Sequence, residues 1–226
     1  MLRTTKLTKT YGKQTAIKEL NLEINTPGLY IFVGANGSGK STFFNLVSGL
    51  TLPEEGEIRI NNESDTNNKR LQIGISNEPF YTEPSLTVNE ISDICLKIKK
   101  APPETANQWL SFWELTSARD KPFNTLSTGM KKRLSLALSL YGNPQMVLWD
   151  EPFNGLDPLG IKLLNELVFK LKEQGKYILL STHLLNEISL REATYFILKE
   201  GTLIGTIPEN SGSNQNEAII NLLKSN

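Results

Sequence analysis

Residues 29–42, which read LYIFVGANGSGKST, decide the fold. The run from Leu29 to Val33 is short, apolar and rich in β-branched and aromatic residues, which predicts a central strand of a parallel sheet. Residues 34–41 match the G-x-x-x-x-G-K-[ST] loop, in which successive backbone N–H groups turn towards phosphate oxygens. A helix is expected over residues 42–50. Strand, loop and helix together predict a phosphate-binding site in an α/β fold.

The residues of this loop have separate expected roles. Its glycines let backbone N–H groups approach an anion, and the N-terminus of the following helix adds partial positive charge. Lys40 is expected to bridge the outer phosphates, and the Ser41 hydroxyl to bind Mg²⁺. A glycine-rich turn with an exposed lysine is the alternative, but it leaves the flanking strand and helix unexplained. The predicted set is Gly34, Ala35, Asn36, Gly37, Ser38, Gly39, Lys40, Ser41 and Thr42.

Two acidic residues follow a second apolar run. Residues 146–152 read MVLWDEP, so Asp150 and Glu151 directly follow a strand predicted at 146–149. The carboxyl ends of parallel strands face the ligand crevice, which places both acids beside the phosphate-binding loop. We expect Asp150 to hold Mg²⁺ through water and Glu151 to polarise an attacking water. The alternative is that the two acids only cap the following turn.

The sole histidine follows a third strand, predicted at 177–180. Residues 177–183 read YILLSTH, which puts His183 at the same edge of the sheet. There it can form a hydrogen bond with a γ-phosphate or with the attacking water. A lone histidine is more often an ordinary surface or core residue, so this prediction depends on its position after the strand.

The composition excludes several classes of protein. The chain has 226 residues, a formal net charge of 0 and one cysteine, Cys95. One cysteine cannot form an intramolecular disulfide or a multi-cysteine metal site, which favours a reducing compartment. The apolar runs are far shorter than the ~20 residues that a membrane span needs. Balanced charge gives no reason to expect nucleic acid as a partner, and the basic run 131–133 is interpreted as a solvated helix face.

The remaining sequence suggests how the chain is divided. Ser127 is a good N-cap for a helix that ends before residues 142–144. Residues 196–198 and 202–204 are read as two strands joined by a turn. Prolines punctuate helical patterns after residue 84, so a helical lobe of about 84–140 is expected, with a core of 1–83 and 124–207. Residues 208–226 form a polar tail, in which 217–224 can make a short docking helix.

Taken together, these residues resemble the ATP-binding subunit of ATP-binding cassette (ABC) transporters over about residues 2–207. The most specific segment is LSTGMKKR at 126–133, which is similar to the signature motif of that family. It precedes the D-E-P strand end, the residues NGLD at 154–157 and the histidine. The resemblance implies a P-loop NTPase core with a mostly parallel sheet flanked by helices, an N-terminal antiparallel β part and the inserted helical lobe.

The resemblance also implies an ATP hydrolase with ATP and Mg²⁺ as cofactors. Tyr11 occupies the position whose ring stacks on adenine. Two cassettes, identical or homologous, would form a head-to-tail dimer in which Ser127 and Gly129 cap the nucleotide of the partner. Asp157 would cross this interface and couple the two sites. Glu78 occupies the position of the usual glutamine in the loop that positions the hydrolytic water, where it can bind Mg²⁺ or water.

Cassettes of this family work with separate membrane-spanning permease subunits, so a cytoplasmic position on the inner face of the cell membrane is expected. Thr128 and Met130 depart from the usual signature glycine and glutamine, and the added bulk of Thr128 can weaken closure. A glutamate in place of the usual glutamine, as at Glu78, resembles a variation found in bacterial exporter subunits. Two alternatives stay open. One is a soluble ABC-type ATPase of DNA repair, translation or cluster assembly; the other is an unrelated P-loop kinase or GTPase.

Overall fold

The computed structural model describes residues 2–61, 72–78, 80–183, 192–209 and 215–224, which form nine strands and six α-helices. The strands are β1 (Leu2–Tyr11), β2 (Gln14–Ile24), β3 (Gly28–Val33), β4 (Glu55–Ile60), β5 (Ile73–Ser76), β6 (Met146–Trp149), β7 (Tyr177–Thr182), β8 (Thr194–Lys199) and β9 (Thr202–Ile207). The helices are α1 (Lys40–Val47), α2 (Val88–Lys99), α3 (Glu104–Phe112), α4 (Thr128–Ser139), α5 (Pro158–Glu173) and α6 (Gln215–Lys224). Two 3₁₀ turns lie between α3 and α4, at Thr116–Ala118 and Phe123–Thr125.

The large sheet has the strand order β5-β6-β7-β3-β8-β9. Its first five strands pair in parallel, and β9 returns antiparallel to β8. The three strands predicted at 29–33, 146–149 and 177–180 are confirmed as the neighbours β3, β6 and β7. Their carboxyl ends therefore meet at one edge of the sheet, where ligands bind in open α/β folds.

The small sheet is antiparallel, with the order β2-β1-β4, and it confirms the expected N-terminal antiparallel part. Its apolar side chains join the core on one face of the large sheet. β3 shows how both faces are buried, because successive side chains of a strand point to opposite faces. Leu29, Ile31 and Val33 belong to one apolar cluster, whereas Tyr30 and Phe32 belong to the other. This explains why β3 is continuously apolar.

Aromatic rings fix α1 against β3. The ring of Phe32 lies 4.9 Å from that of Phe43 and 5.3 Å from that of Phe44, between centroids. Such pairs add about 0.5–1.5 kcal/mol beyond the area that they bury. The helix spans Lys40–Val47 rather than the predicted 42–50. It starts earlier because Gly39, within the loop, already takes the N-cap position. It ends before Gly49, because the φ of 72° at Gly49 lies outside the helical region.

Helix α4 begins directly after Ser127, whose hydroxyl oxygen accepts a hydrogen bond from the Met130 backbone N–H at 3.2 Å. The predicted N-cap is therefore confirmed. The solvated face predicted for residues 131–133 is wrong, because Lys132 and Arg133 are only 5% and 8% exposed. Eight consecutive residues of α4, from Lys132 to Ser139, are buried. The helix is thus enclosed on all sides from its second turn onwards, and the basic side chains must find partners inside the protein.

Because α4 packs closely on β5, we predict that one methyl group added at this contact strongly destabilises the fold. A Cβ added at Gly74 would overlap the Ser139 carbonyl oxygen and lie 2.9 Å from Pro144 Cγ. Because backbone atoms cannot rotate away, Gly74→Ala is expected to lower the free energy of unfolding by about 1–3 kcal/mol or more. Chemical denaturation followed by circular dichroism measures this change.

Gly205→Ala is the matched control for this prediction. Its added Cβ would meet only the end of the Leu222 side chain, at 2.7 Å, and that side chain can change rotamer. The expected destabilisation is therefore smaller than for Gly74→Ala. Equal losses in the two variants would contradict the role assigned to the α4–β5 packing.

In the tail, α6 packs against β8 and β9, and Ile219 is completely buried there. Within the described ranges, no helix combines the length and the apolar character that a membrane crossing requires.

Candidate functional site

The loop after β3 borders a cavity of about 380 Å³ at the carboxyl edge of the large sheet. Tyr11, which is 50% exposed, lies on one side of this cavity, and Glu151 lies on another. The packing of the small sheet against the large one thus brings together residues that are 140 positions apart in the chain. The residues that line the cavity are Tyr11, Gln14, Ala16, Asn36, Gly37, Gly39, Lys40, Ser41, Thr42 and Glu151.

Gly39 gives the loop its shape. Its φ of 106° lies in a region that side chains other than glycine rarely adopt, and an added Cβ would lie 2.6 Å from the Ala16 carbonyl oxygen. Gly39 therefore lets the chain enter α1 while it runs close to β2. The first N–H groups of a helix have no carbonyl partner within it, so this end of α1 offers donors and partial positive charge to an anion.

Lys40 is the buried cation of the loop. Its side chain is 5% exposed, and its Nζ donates hydrogen bonds to the carbonyl oxygens of Gly34 at 2.8 Å and Ala35 at 3.2 Å. Burial lowers the pKa of Lys40, while the carboxylates of Glu151 and Asp150 oppose that shift. The ammonium group lies 3.7 Å from Glu151 Oε1. A buried charge of this kind is stable only with such partners, so the ammonium of Lys40 and the carboxylate of Glu151 stabilise each other.

Asp150 and Glu151 leave β6 in different directions. Ser181, at the end of β7, donates a hydrogen bond from its hydroxyl to Asp150 Oδ1, and its oxygen accepts one from the Glu151 backbone N–H at 2.8 Å. Glu151 has a φ of 45°, which is costly for a residue other than glycine. This turn of the backbone separates the two carboxylates, with Asp150 held against β7 and Glu151 lining the cavity.

His183 lies beside Glu151, with its Nδ1 3.0 Å from Glu151 Oε2. The other carboxylate oxygen of Glu151 is the one near Lys40. The acid from the end of β6 is therefore flanked by a cation from the loop and by the imidazole that follows β7. This arrangement holds a carboxylate at the edge of the cavity, where it can act as a general base for water.

Glu78 lies outside the set that lines the cavity. Its Oε2 is 3.6 Å from the Nζ of Lys132, and its side chain is 40% exposed. Burial lowers the pKa of Lys132, and the carboxylates of Glu78 and Asp150 act in the opposite direction.

Sequence reasoning missed Lys132 and Ser181. The signal for Ser181 was its place at a strand end beside His183, whereas the basic run around Lys132 carried no sign of burial.

Ser127, Gly129 and Asp157 also lie apart from the cavity residues in the described part of the chain. The Asp157 carboxylate caps α5 by accepting a hydrogen bond from the Gly160 N–H at 2.9 Å. It also accepts one from the Arg133 guanidinium of α4, and these two hydrogen bonds lower the pKa of Asp157. Within one chain, Asp157 therefore connects the signature helix α4 to α5.

The donor set near the loop fits a magnesium nucleotide. The Oγ of Ser38 is buried and has no hydrogen-bond partner among the described residues, but Ser38 does not line this cavity, whereas Lys40 and Ser41 do. Those residues contain no cluster of three or more His, Cys, Asp or Glu side chains of the kind that holds a metal alone. Mg²⁺ commonly binds through one or two carboxylates together with substrate phosphates. The Ser41 hydroxyl and the carboxylates of Asp150 and Glu78 are oxygen donors of this type.

Comparison with known proteins identifies the family. Residues 17–154 match the family model described as ABC transporter. The bacitracin transport ATP-binding protein BcrA of Bacillus licheniformis is 36% identical over 215 residues, which cover 92% of this chain and 70% of the relative. The lantibiotic transport ATP-binding protein SrtF of Streptococcus pyogenes is 31% identical over 223 residues, which cover 98% of this chain and 96% of the relative.

Solved structures agree with these matches. A structure described as the ATP-binding subunit of an ABC transporter superposes with a TM-score of 0.87 at 25% identity, and covers 99% of this chain and 100% of its own. The ATP-binding cassette MJ0796, in a dimeric post-hydrolysis state bound to ADP and Pi, gives a TM-score of 0.82 at 29% identity, with 93% and 99% covered. The chain therefore belongs to the ABC transporter family, as an ATP-binding subunit that hydrolyses ATP to power transport.

Proposed function

We propose that this chain powers an exporter, through ATP-driven closure of two cassettes that act on separate membrane-spanning subunits. The observation that supports its chemistry best is the position of Glu151 between Lys40 and His183, at the edge of the loop cavity. The direction of transport rests on a relative that is named for Nod factor export, and two further relatives are named for bacitracin transport and lantibiotic transport. Those transport names do not favour a soluble ATPase of DNA repair, translation or cluster assembly.

Each residue of the site has a proposed role. The backbone of residues 34–42 and the ammonium of Lys40 bind the phosphates, and Tyr11 stacks on the adenine ring. Glu151 accepts a proton from the attacking water, and His183 holds the carboxylate of Glu151 and faces the γ-phosphate. The proximity of Lys40 Nζ to Glu151 Oε1, at 3.7 Å, supports a shared site for phosphate and water.

Ser41, Asp150 and Glu78 would hold Mg²⁺ with the phosphates. When bound, the ion neutralises phosphate charge and favours departure of the terminal phosphate. Ser181 keeps Asp150 in place through its hydroxyl. The same hydroxyl oxygen fixes the backbone of Glu151, so one side chain from β7 orients both acids.

Closure of a dimer supplies the groups that this cavity lacks. Ser127 is exposed and Gly129 is half-buried at the start of α4, where the first N–H groups of the helix can bind an anion. Because they do not line the chain's own loop cavity, we assign them to the nucleotide of a second cassette. Asp157 would meet the partner near the same place. Dimeric cassettes are known among the structural neighbours, which supports this assembly.

We further propose a core of 1–83 and 124–207, a helical lobe of about 84–140 that contacts the membrane partner, and a tail of 208–226. The cassette would then sit on the inner face of the cell membrane, held by its permease. Differential binding of ATP and of its hydrolysis products would move the partner between states. The second cassette is a copy of this chain or a homologue, and nucleic acid is not among the proposed partners.

Purification from native membranes tests the transport function. The tagged chain is expected to copurify with a protein of several membrane spans after detergent extraction, because the transport path must lie in another chain. Cells that lack the chain are expected to become more sensitive to bacitracin if the exporter removes a peptide of that class. Recovery with ribosomes or DNA in place of a membrane protein would favour the soluble ATPase instead, whereas unchanged bacitracin sensitivity would exclude only peptides of that class as the substrate.

A further inference from the structure

Lys132 connects three segments around the nucleotide site. Its Nζ donates a hydrogen bond to the Asp150 carbonyl oxygen at 3.2 Å and lies 3.6 Å from Glu78 Oε2. Asp150 follows β6, Glu78 follows β5, and Lys132 itself belongs to α4, which starts at the signature motif. One ammonium group therefore joins the signature helix to the two strand ends that carry the proposed magnesium ligands.

The charges around Lys132 explain why a lysine is stable at this depth. Its side chain is only 5% exposed, and the carboxylates of Glu78, Asp150 and Glu151 all act on it. Removing an ammonium group from water is costly unless opposite charges surround it. By the family resemblance, Glu78 takes the position of a usual, neutral glutamine, which gives this site an additional negative charge. The buried lysine balances that charge.

The two side chains of the Lys132–Glu78 pair differ in their exposure to water. Glu78 is 40% exposed, so water screens part of the attraction, and the pair contributes less to stability than a fully buried one. A side chain that is half in water has several rotamers, and a fixed partner selects among them. The buried ammonium is such a fixed partner. Its effect on Glu78 is therefore mainly one of orientation.

We propose that Lys132 is a positioning residue, which orients the Glu78 carboxylate towards the metal of the bound nucleotide. This inference rests on the proposed role of Glu78 in holding Mg²⁺. It predicts an energetic coupling between Lys132 and Glu78 in the affinity for ATP when Mg²⁺ is present. Without Mg²⁺ the coupling is lost, because Glu78 then has no link to the phosphates.

A double-mutant cycle tests the proposal in the full chain. The proteins are the unaltered chain, Lys132→Gln, Glu78→Gln and the double variant, and the probe is a fluorescent ATP analogue titrated with saturating Mg²⁺ or with EDTA. With Mg²⁺, Lys132→Gln is expected to weaken binding about tenfold in the presence of Glu78 but less than about threefold in the Glu78→Gln background. With EDTA, the two backgrounds are expected to agree within about twofold.

The exposed pair Lys162 and Glu166 on α5 provides the matched control. Lys162 Nζ lies 3.9 Å from Glu166 Oε1, and the side chains of Lys162 and Glu166 are 72% and 54% exposed. The same double-mutant cycle at these two positions should therefore show no coupling in ATP affinity. Thermal unfolding is measured for every variant. Lys132→Met keeps the length of the side chain without its charge, and it replaces Lys132→Gln if that variant does not fold.

Each outcome decides the proposal. Coupling with Mg²⁺ that vanishes in EDTA supports a positioning role. The proposal is overturned if the effects of the two substitutions on ATP affinity are independent both with Mg²⁺ and with EDTA. It is also overturned if the coupling is equally large with Mg²⁺ and with EDTA, since Lys132 would then act on stability or on the phosphates directly. Failure of the unaltered chain to bind the magnesium nucleotide would instead count against the proposed function itself.

Discussion

Glu151→Gln is expected to lower ATP turnover by about 10²–10⁴-fold, while affinity for ATP stays within about threefold. The amide has the shape of the carboxylate but cannot accept the proton of the attacking water. The chain holds Glu151 in a backbone conformation that is costly, with φ at 45°, and flanks its carboxylate with Lys40 and His183. Phosphate release at saturating magnesium and ATP measures the loss.

The exposed acid Glu166 on α5 supplies the control, and Glu166→Gln should leave turnover unchanged. Size-exclusion chromatography of the Glu151→Gln protein with ATP and Mg²⁺ gives a second readout. Since the nucleotide persists in this variant, a dimer should accumulate with it and dissociate when ATP is removed. Turnover close to that of the unaltered chain would exclude Glu151 as the general base.

Lys40→Ala is expected to weaken ATP binding by about thirtyfold or more. Truncating one partner of a buried, hydrogen-bonded charge pair costs about 2–5 kcal/mol, part of which is the penalty for the charge left behind. Lys40 would make such a pair with the phosphates of the bound nucleotide, since its side chain is buried beside the cavity and its Nζ is held by hydrogen bonds to two loop carbonyl oxygens. Equilibrium titration of a fluorescent ATP analogue gives the change in affinity.

Lys97→Ala is the control for Lys40→Ala, because Lys97 is exposed near the end of α2, away from the cavity. Its affinity for the analogue should match that of the unaltered chain. Thermal unfolding without nucleotide separates a binding defect from a folding defect. If Lys40→Ala bound the analogue as tightly as the control, the loop lysine would have no part in holding the phosphates.

Much of the fold was predictable because local patterns decide it. Continuous apolarity at 29–33, 146–149 and 177–180 marks strands buried on both faces, and these are adjacent in the sheet. The loop between strand and helix carries its own chemical pattern, so its position followed from a few residues. Ser127 was readable as an N-cap because the hydrogen bond that defines the cap is local.

The residues that sequence reasoning missed depend on distant contacts. Ser181 meets Asp150 from a position 31 residues away, and Lys132 meets the Asp150 carbonyl from 18 residues away. Nothing in the run KKR at 131–133 distinguishes a solvated lysine from a buried one, because burial is decided by what packs on α4. The Asp157 carboxylate was expected at an interface, and its contact with Arg133 of α4 could not be read from its own segment.

The contacts of Phe32 with Phe43 and Phe44 have a consequence for the energetics of ligand recognition. They anchor both ends of the loop, since Phe32 lies just before it and the other two rings lie in the helix that follows. The conformational entropy of this segment is therefore largely lost when the chain folds, before any ligand arrives. Association then needs little reordering of the loop, and more of the intrinsic attraction for phosphate appears as affinity.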